Sequence, residues 1–366
     1  MIARGRRAGS KSQPGTPAGQ GGELAMLARI RARVAAAGRS ASVRLGIGDD
    51  CALIAVKAGD EIAVTTDLSI AGRHFELAWH PPEAIGHRVL ARGLSDLAAM
   101  GARPVAAFLS LGIPKELAGK KRGAKNSAGW VDRFYDGLLS FAREFQTPLA
   151  GGDLAQSPVA AADIVLLGAV RRGKALLRSG ARPGDAIYVT GSLGGAAAGL
   201  ALLTEFAKTR RATAAGGLRI PAKLEAALAR HLYPQPRIKQ GLFLASRRLA
   251  TAAIDVSDGL STDLGHLCEE SGVAAEIHAD AVPISSGATL GQALNGGEDY
   301  ELLFTARPGA KVPQAIAGVP MTRIGRVVKD AAKSPTITLI TPEGREALEA
   351  QGWEHFARRA DRVESH

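Results

Sequence analysis

The chain has 366 residues, a length that predicts about two domains. Hydrophobic residues make up 46% and charged residues 22%, a balance typical of a folded globular protein rather than a disordered one. Two cysteines, Cys51 and Cys268, exclude a disulfide framework and a cysteine-rich zinc site, and they favour a reducing, cytoplasmic compartment. No apolar stretch is long enough to predict a membrane span.

The formal net charge of +11 raises the possibility of a polyanionic partner. Against a nucleic-acid partner, aromatic residues make up only 4% of the chain, too few for a base-stacking surface. Much of the positive charge lies in residues 1–22, which contain no acidic residue and are predicted to be a disordered basic leader. Further basic clusters at 115–125 and 208–223 have the composition of polar insertions. Solvated segments are therefore the favoured interpretation, with an anion-attracting surface as the alternative.

The first half of the chain is predicted to mix helices and strands. Helical periodicity begins near Glu23 and stops at Gly38. The elements that follow are strands at 51–56 and 61–68, a helix at 81–101, a strand at 105–113, an amphipathic helix at 130–145 and a strand at 163–170. The composition then changes to Gly, Arg and Pro over 171–184, which predicts a domain boundary.

The second half repeats this mixture. A strand at 185–190 leads through a glycine-rich turn at 191–195 into an alanine-rich helix. Strands are predicted within AAIDVSDGL and ELLFTA, with a further helix between them. The glycine turn lacks the dinucleotide-binding spacing, which favours a tight strand-to-helix connection, with ligand contact as the alternative. Strands and helices in both halves predict an α+β (mixed α/β) fold.

Aspartates next to small residues are the main chemical signal. No phosphate-binding P-loop and no protein-kinase signature is present. The aspartates flank apolar runs, in predicted turns: Asp49, Asp50, Asp67, Asp96, Asp153, Asp255 and Asp258. Any one of them could be only a turn cap. If several converge, their mutual repulsion is relieved by divalent cations, and oxygen ligands suit magnesium serving a phosphate-bearing substrate.

A set of motifs identifies a family. In chain order they are GIGDDCAL, TTDLSIAGRHF, LSDLAAMGA, LAGGDL, LLRSGARPGDAIYVTGSLGG, IDVSDGLSTDL, NGGEDYELLFT and QGWEHF. Their order and spacing, from residue 23 to about residue 356, closely resemble the thiamine-monophosphate kinase family. Its superfamily includes aminoimidazole ribonucleotide synthetase and selenophosphate synthetase.

The resemblance implies a two-domain, synthetase-like fold and a transferase of thiamine biosynthesis that phosphorylates thiamine monophosphate to thiamine diphosphate with ATP. It also implies a homodimer that pairs through the sheets of its N-terminal halves, with ATP near that interface. The implied organisation is a leader at 1–22, an ATP- and magnesium-binding dimerisation domain at 23–172, an α/β domain at 177–345, and a substrate-contacting tail at 346–366. Membrane and nucleic-acid partners are not expected.

Site residues follow from the resemblance, motif by motif. The implied shell for several magnesium ions is Asp50, Thr65, Thr66, Asp67, Asp96, Asp153, Asp255 and Asp258, with Asp49 as a supporting neighbour. Among these, Asp67, Asp96, Asp153 and Asp255 are the implied catalytic residues. The implied ATP contacts are Tyr135, Gly152, Arg178 and Ser257. The implied thiamine-monophosphate contacts are His74, Glu298 and Trp353.

Simpler alternatives stay open for four of these residues. Tyr135 could be core, Arg178 could form a surface ion pair, Trp353 could cover apolar surface, and His74 could be a solvated loop residue. Cys51 is interpreted as a small buried hydrophobe, which disfavours the selenophosphate enzyme with its reactive cysteine.

The chemistry implied by the residues agrees with the resemblance. The second pKa of a phosphate monoester is about 6, so the attacking phosphate oxygen needs no strong general base. Direct in-line transfer is therefore predicted, with an aspartyl-phosphate intermediate as the mechanistic alternative. A sister enzyme of the superfamily and a basic nucleic-acid-binding protein are the functional alternatives.

Overall fold

The computed structural model describes residues 23–36, 41–47, 51–119, 128–208, 220–330 and 336–352. The predicted leader at 1–22 lies outside this part of the chain. Within it, no helix combines the length and the apolar character needed to cross a membrane.

The first half forms a four-stranded sheet with helices on one face. Its elements are α1 (Glu23–Ala36), β1 (Val43–Leu45), β2 (Leu53–Ile54), β3 (Asp60–Ile70), α2 (Pro82–Ala99), β4 (Arg103–Ile113), α3 (Lys115–Ala118), α4 (Trp130–Glu144), β5 (Leu149–Gln156) and β6 (Ala161–Arg171). The strand order is β3-β6-β4-β5, in which only β4 and β5 run parallel. Strands β1 and β2 form a separate antiparallel pair.

The second half is built on a larger sheet of mostly antiparallel strands. Its elements are β7 (Ala186–Thr190), α5 (Gly195–Lys208), α6 (Ala222–Leu232), α7 (Ile238–Arg247), β8 (Ala252–Val256), α8 (Leu260–Ser271), β9 (Ala274–His278), a 3₁₀ turn (Ala279–Ala281), α9 (Leu290–Asn295), β10 (Glu301–Ala306), β11 (Ala315–Ile316), β12 (Val319–Val328), β13 (Ile337–Thr341) and β14 (Gly344–Ala347). The strand order is β14-β13-β9-β12-β7-β10-β8, with β11 paired to β12.

The predicted mixed fold is confirmed, with local differences in several elements. The strand predicted at 51–56 is reduced to Leu53–Ile54. Strand β5 has no counterpart among the predicted elements, because the two glycines of LAGGDL weaken the apolar pattern of a strand. Gly152 has a φ of +144°, and a side chain there would meet the carbonyl oxygen of Leu109 in β4. Only glycine therefore allows β5 to lie against β4 at this point.

Helix α2 lies between the two halves and is buried on nearly all sides. One side packs on α4 and on β3 and β6, and the other meets α7, β8 and β10. The largest apolar core of the described chain accordingly continues from Leu90 and Leu94 of α2 to Leu302 and Phe304 of β10. A helix in this position fixes where both sheets lie relative to each other.

The contact between α2 and α4 depends on two glycines. A Cβ atom on Gly86 would lie 2.0 Å from the carbonyl oxygen of Phe134, and one on Gly137 would lie 1.9 Å from that of Glu83. These atoms belong to helix backbone, which cannot move aside without separating the helices.

We predict that Gly86→Ala destabilises the protein by about 1–3 kcal/mol, because the overpacked helices must separate even though alanine favours a helix. The measurement is the free energy of unfolding in urea. Gly265→Ala in α8 is the matched control, since a Cβ there has no atom within 4 Å. The control should gain up to ~1 kcal/mol from helix propensity. Equal gains in both variants would contradict the close approach.

Candidate active site

Four polar residues of α2 form a stripe on one side of this buried helix. Arg88, Arg92, Ser95 and Asp96 follow one another at helical spacing, so their side chains project in similar directions. Because burial of a charged or polar group is costly without a partner, each of them needs one from another element. All four have such a partner.

The C-terminal part of the stripe consists of Arg92, Ser95 and Asp96. Each of them contacts a residue predicted to be part of the site. Arg92 donates to Asp67 of β3 through Nε at 2.8 Å and through Nη2 at 2.6 Å. Asp96 accepts a hydrogen bond from the Thr65 hydroxyl. The hydroxyl of Ser95 donates to Asp255 of β8 at 2.6 Å, which joins the two halves of the chain.

Asp96 and Asp255 form a pair of mutually repelling acids. Burial raises the pKa of Asp255 well above its ordinary value, and the neighbouring Asp96 raises it further. Burial also raises the pKa of Asp96, with Asp67 adding to the shift, although the hydrogen bond from Thr65 opposes it. Each of these two carboxyl groups makes ionisation of the other less favourable. Binding of a divalent cation between them would relieve this repulsion.

The turn after β8 presents Ser257 and Asp258 and is held by a residue that sequence reasoning missed. One oxygen of Asp263 accepts from the backbone N–H groups of Ser257, Asp258 and Gly259, each at 3.0 Å. Burial, followed by the charge of Asp258, raises the pKa of Asp263 to about 7. The signal in the sequence is an aspartate placed five residues after Asp258, inside the first turn of α8.

The N-terminal part of the stripe is Arg88, which contacts two of the residues expected to bind substrate. Arg88 donates to both oxygens of Glu298, at 2.7 and 2.8 Å, and to the carbonyl oxygen of His74 at 3.2 Å. Burial opposes ionisation of Glu298, but the charge of Arg88 outweighs it and lowers the pKa of the carboxyl group. The His74 Nδ1 atom accepts from the backbone N–H of Ile70 at 3.0 Å, which leaves the proton of a neutral ring on Nε2.

Two buried histidines lie beside Glu298 and carry no charge at neutral pH. The Nε2 atoms of His80 and His231 are 3.0 Å apart. Burial, reinforced by Arg88, lowers the pKa of His80 to about 3 and that of His231 well below its ordinary value. The positive charge in this part of the site therefore comes from arginine and not from histidine.

These groups surround one cavity of about 570 Å³, here called the central cavity. It brings together seven of the predicted site residues: Asp67, His74, Asp96, Asp255, Ser257, Asp258 and Glu298. Its lining also includes five residues that sequence reasoning missed: Trp79, His80, Arg92, His231 and Tyr300. The available signal for Arg92 was its spacing of four residues before Asp96 in a helix otherwise rich in apolar residues.

Three further predicted residues lie elsewhere. Tyr135, Gly152 and Asp153 line a second cavity of about 450 Å³, between α1, β4 and β5. Tyr135 is also part of the apolar core, which agrees with the alternative that it is a core residue. It lies in the core and beside a cavity at once. The prediction of a buried Cys51 is wrong, because this thiol is exposed and lines the second cavity.

The remaining predicted residues are not in either cavity. Thr66 is exposed, and since side chains alternate along a strand it faces away from Thr65 and Asp67. Arg178 is exposed, close enough for its charge to favour ionisation of Asp96 and Asp255. Three predicted residues lie outside the described part of the chain: Asp49, Asp50 and Trp353.

The expectation that the aspartates lie in turns is wrong for most of those described. Asp67, Asp153 and Asp255 lie within strands, and Asp96 lies in the last turns of α2. Only Asp258 follows the end of its strand. Small neighbours here serve close packing of buried elements instead of turn formation.

The described residues contain no ready group of three or more His, Cys, Asp or Glu side chains able to hold a metal ion. Asp67, for example, is already paired with Arg92. The pair Asp96 and Asp255 nevertheless has the oxygen chemistry that magnesium prefers. Of the predicted ligand set, this pair therefore fits magnesium, but it does not form a complete shell within the described residues.

Two kinds of comparison with known proteins, family models and individual relatives, identify the family of this chain. The family model for the AIR synthase related protein, N-terminal domain, matches residues 48–170, and that for the C-terminal domain matches residues 182–337. Thiamine-monophosphate kinase of Salmonella typhimurium is 37% identical over 348 residues, which cover 92% of this chain and 98% of that one.

The chain belongs to the thiamine-monophosphate kinase family. Its fold is similar to the crystal structure of thiamine-monophosphate kinase from Stenotrophomonas maltophilia, with a TM-score of 0.70 and 36% identity over 90% of this chain and 97% of that one. It is also similar to AaThiL complexed with AMPPCP and TMP, with a TM-score of 0.67 and 29% identity over 94% of this chain and 100% of that one.

In this kinase-family chain, backbone N–H groups at the glycine turn 191–195 are hydrogen-bonded to a side chain of the protein itself. Asp299 accepts hydrogen bonds from the backbone N–H groups of Gly194 and, at 2.9 Å, Ala196 at the start of α5. Burial raises the pKa of Asp299 to about 6, although these amides oppose the shift. The arrangement agrees with the favoured interpretation of a strand-to-helix connection.

This carboxyl group gives stability an unusual dependence on pH. Its folded pKa is raised above the ordinary value of about 3.9, so its contribution is fully present below that value and is lost as pH rises through about 6. We predict that the stability of the wild type relative to Asp299→Asn falls between pH 4 and pH 7 by up to about 3 kcal/mol. Urea unfolding of both proteins across this range measures the difference, which a pH-independent offset would contradict.

Proposed function

We propose that this chain transfers the γ-phosphoryl group of ATP directly to thiamine monophosphate, with magnesium, forming thiamine diphosphate and ADP. The observation that carries the proposal is the central cavity, where acidic residues of both halves meet His74 and Glu298. Membership of the thiamine-monophosphate kinase family supports the choice of substrates.

The chain's own residues are suited to position two polyanions. Arg92 presents a fixed positive charge on the wall of the cavity, between Asp67 and Glu298. With Nδ1 of His74 accepting from the backbone N–H of Ile70, a neutral ring carries its proton on Nε2 and acts there as a hydrogen-bond donor. Because the terminal phosphate of the acceptor is largely deprotonated at neutral pH, these groups need only to hold it in line with ATP.

Asp96 and Asp255 are the proposed centre of the magnesium shell, with Asp67, Asp258 and Thr65 beside them. Asp50 is a further proposed ligand, on the basis of the family motif GIGDDCAL alone. The chemistry that magnesium supplies when bound is neutralisation of charge on the phosphate oxygens. Asp96 and Asp255 would then remain ionised side by side, a state that their raised pKa values oppose in its absence.

The organic part of thiamine needs an aromatic or apolar surface. Trp79 lines the central cavity together with Ala196, Ala197 and Leu200 of α5. An indole face attracts a cation such as the thiazolium ring, a contribution of about 0.5–2 kcal/mol. Trp79 is thus proposed as an aromatic contact of the thiazolium ring, and Trp353 remains a proposed second contact.

The second cavity is the proposed site of the adenine end of ATP. Its distance from the central cavity is an argument for a homodimer. Strands β3 and β5 are the two edges of their sheet, which separates Asp67 from Asp153 by three strand spacings, about 14 Å. Carboxylates on one metal ion lie within about 5 Å of each other, so these two cannot share an ion within one chain.

A dimer formed by the outer face of the first sheet would bring the second cavity of one subunit towards the central cavity of the other. On this face Ile62, Val64 and Leu68 of β3 are 52%, 59% and 48% exposed. Three large apolar side chains on one exposed strand are typical of a surface covered by a partner. The homodimer is therefore proposed to complete the active site.

The first test is formation of thiamine diphosphate from thiamine monophosphate and γ-labelled ATP. We expect product that depends on magnesium, carries the label and falls at least ~100-fold in Asp96→Asn, which removes one charge of the acidic pair. Asp280→Asn, in the 3₁₀ turn away from both cavities, is the control. Label retained on the protein would favour an aspartyl-phosphate, and folded wild-type protein without product would overturn the proposed reaction.

Mixing two inactive variants tests whether subunits share a site. If Asp67 and the partner's Asp153 serve the same site, a heterodimer of Asp67→Asn and Asp153→Asn subunits has one site with both changes and one intact site. Random exchange of subunits should then restore up to about a quarter of the wild-type activity.

Recovery should be absent when either variant is mixed only with itself. Confirmation of heterodimers by differential tags is needed, because failure to exchange subunits would also leave the mixture inactive. Tagged heterodimers without activity would contradict a shared site and would place both aspartates in the site of one subunit.

A further inference from the structure

Arg88 of α2 is a buried residue with several hydrogen-bond partners at the edge of the central cavity. It is 5% exposed. Its guanidinium group donates to both oxygens of Glu298 and to the carbonyl oxygens of His74 and His231, and it lies 3.2 Å from Nδ1 of His231. One side chain therefore contacts three separate segments of the protein.

These segments come from both halves of the chain. His74 belongs to the loop between β3 and α2 in the first half. His231 lies in α6, and Glu298 lies in the loop between α9 and β10, both in the second half. Arg88 thus links two residues expected to contact the same substrate but supplied by different halves.

Glu298 has a conformation that needs such support. Its φ is +69°, and that of Tyr300 is +51°, in the left-handed region that side chains rarely adopt. Conformations of this kind persist where surrounding contacts hold them. The two hydrogen bonds from Arg88 fix the direction of the Glu298 carboxylate while the backbone fixes its position.

Arg88 acts from behind the cavity wall. It is not among the residues that line the central cavity, whereas His74, Glu298 and His231 are. It borders a void of about 10 Å³, too small for a substrate. Arg88 therefore has no direct route to the substrate in this structure.

We propose that Arg88 is a positioning residue for thiamine monophosphate, which aligns His74 and Glu298 across the boundary between the two halves. The inference rests on the proposed function and adds a residue to it. Lysine cannot replace it, because only the planar guanidinium group has enough donors to hold a carboxylate and two carbonyl oxygens at once.

The test compares steady-state kinetics of Arg88→Lys with those of the wild type. We expect kcat/KM for thiamine monophosphate to fall on the order of 100-fold while the KM for ATP changes less than about 2-fold, because only one subsite loses its alignment. A purely structural role would affect both substrates alike.

Arg133→Lys is the matched control. Arg133 of α4 donates to both oxygens of Glu83 at 2.6 and 2.8 Å, which is the same kind of ion pair away from both cavities. It should leave both KM values unchanged. An equal loss in this control would show that any such pair matters through stability and would overturn the positioning role.

A double variant covers the case in which Arg88→Met alone leaves the Glu298 carboxylate buried without its partner and does not fold. Arg88→Met combined with Glu298→Gln removes both charges. If Arg88 acts through Glu298, kcat/KM for thiamine monophosphate in the double variant should match that of Glu298→Gln within about 3-fold. A value in the double variant more than about 10-fold below that of Glu298→Gln would overturn the role of Arg88 in positioning Glu298.

The proposed function and the role of Arg88 can be disproved independently of each other. Wild-type protein that makes no thiamine diphosphate overturns the proposed function. Wild-type protein that makes it, with Arg88→Lys unchanged in kcat/KM for thiamine monophosphate, overturns the role of Arg88 alone.

Discussion

The structure depends on the burial of α2, a helix that carries charged residues into the contact between two sheets. Apolar side chains of α2 join the two halves in one core, but Arg88, Arg92, Ser95 and Asp96 can be buried only with partners. Those partners come from β3, β8, α6 and the loop before β10. Packing of the halves on α2 and assembly of the central cavity are consequently one process.

The same burial sorts the charges of the site. It raises the pKa values of Asp96 and Asp255, and it keeps His80 and His231 neutral. Ion pairing leaves Glu298 ionised despite its surroundings. The cavity thus has an acidic end suited to cations and an end where arginine charge is already balanced by carboxylates. A phosphate substrate would meet these two environments on either side of the reacting groups.

Motifs in the sequence identify seven residues of the central cavity, but they leave out others of its lining, such as Trp79, His231 and Tyr300. They could not predict which side of the sheet each residue faces. Thr66 points away from Thr65 since strand residues alternate, and Asp153 lies at the far edge because β5 pairs only with β4. Arg92 was within reach of sequence reasoning, from its spacing to Asp96. The pairing of Arg88 with Glu298 was not, because 210 residues separate them.

The proposed homodimer would account for both the separation of the two cavities and the exposure of β3. An edge strand of 11 residues with large apolar side chains exposed is a surface that favours pairing with another chain. Within one chain, Gly152 and Asp153 of β5 lie three strand spacings, about 14 Å, from Asp67 of β3. Association through the first sheet would therefore bury the apolar face and shorten that distance in the same step, so dimer stability and turnover should be lost together when this face is made polar.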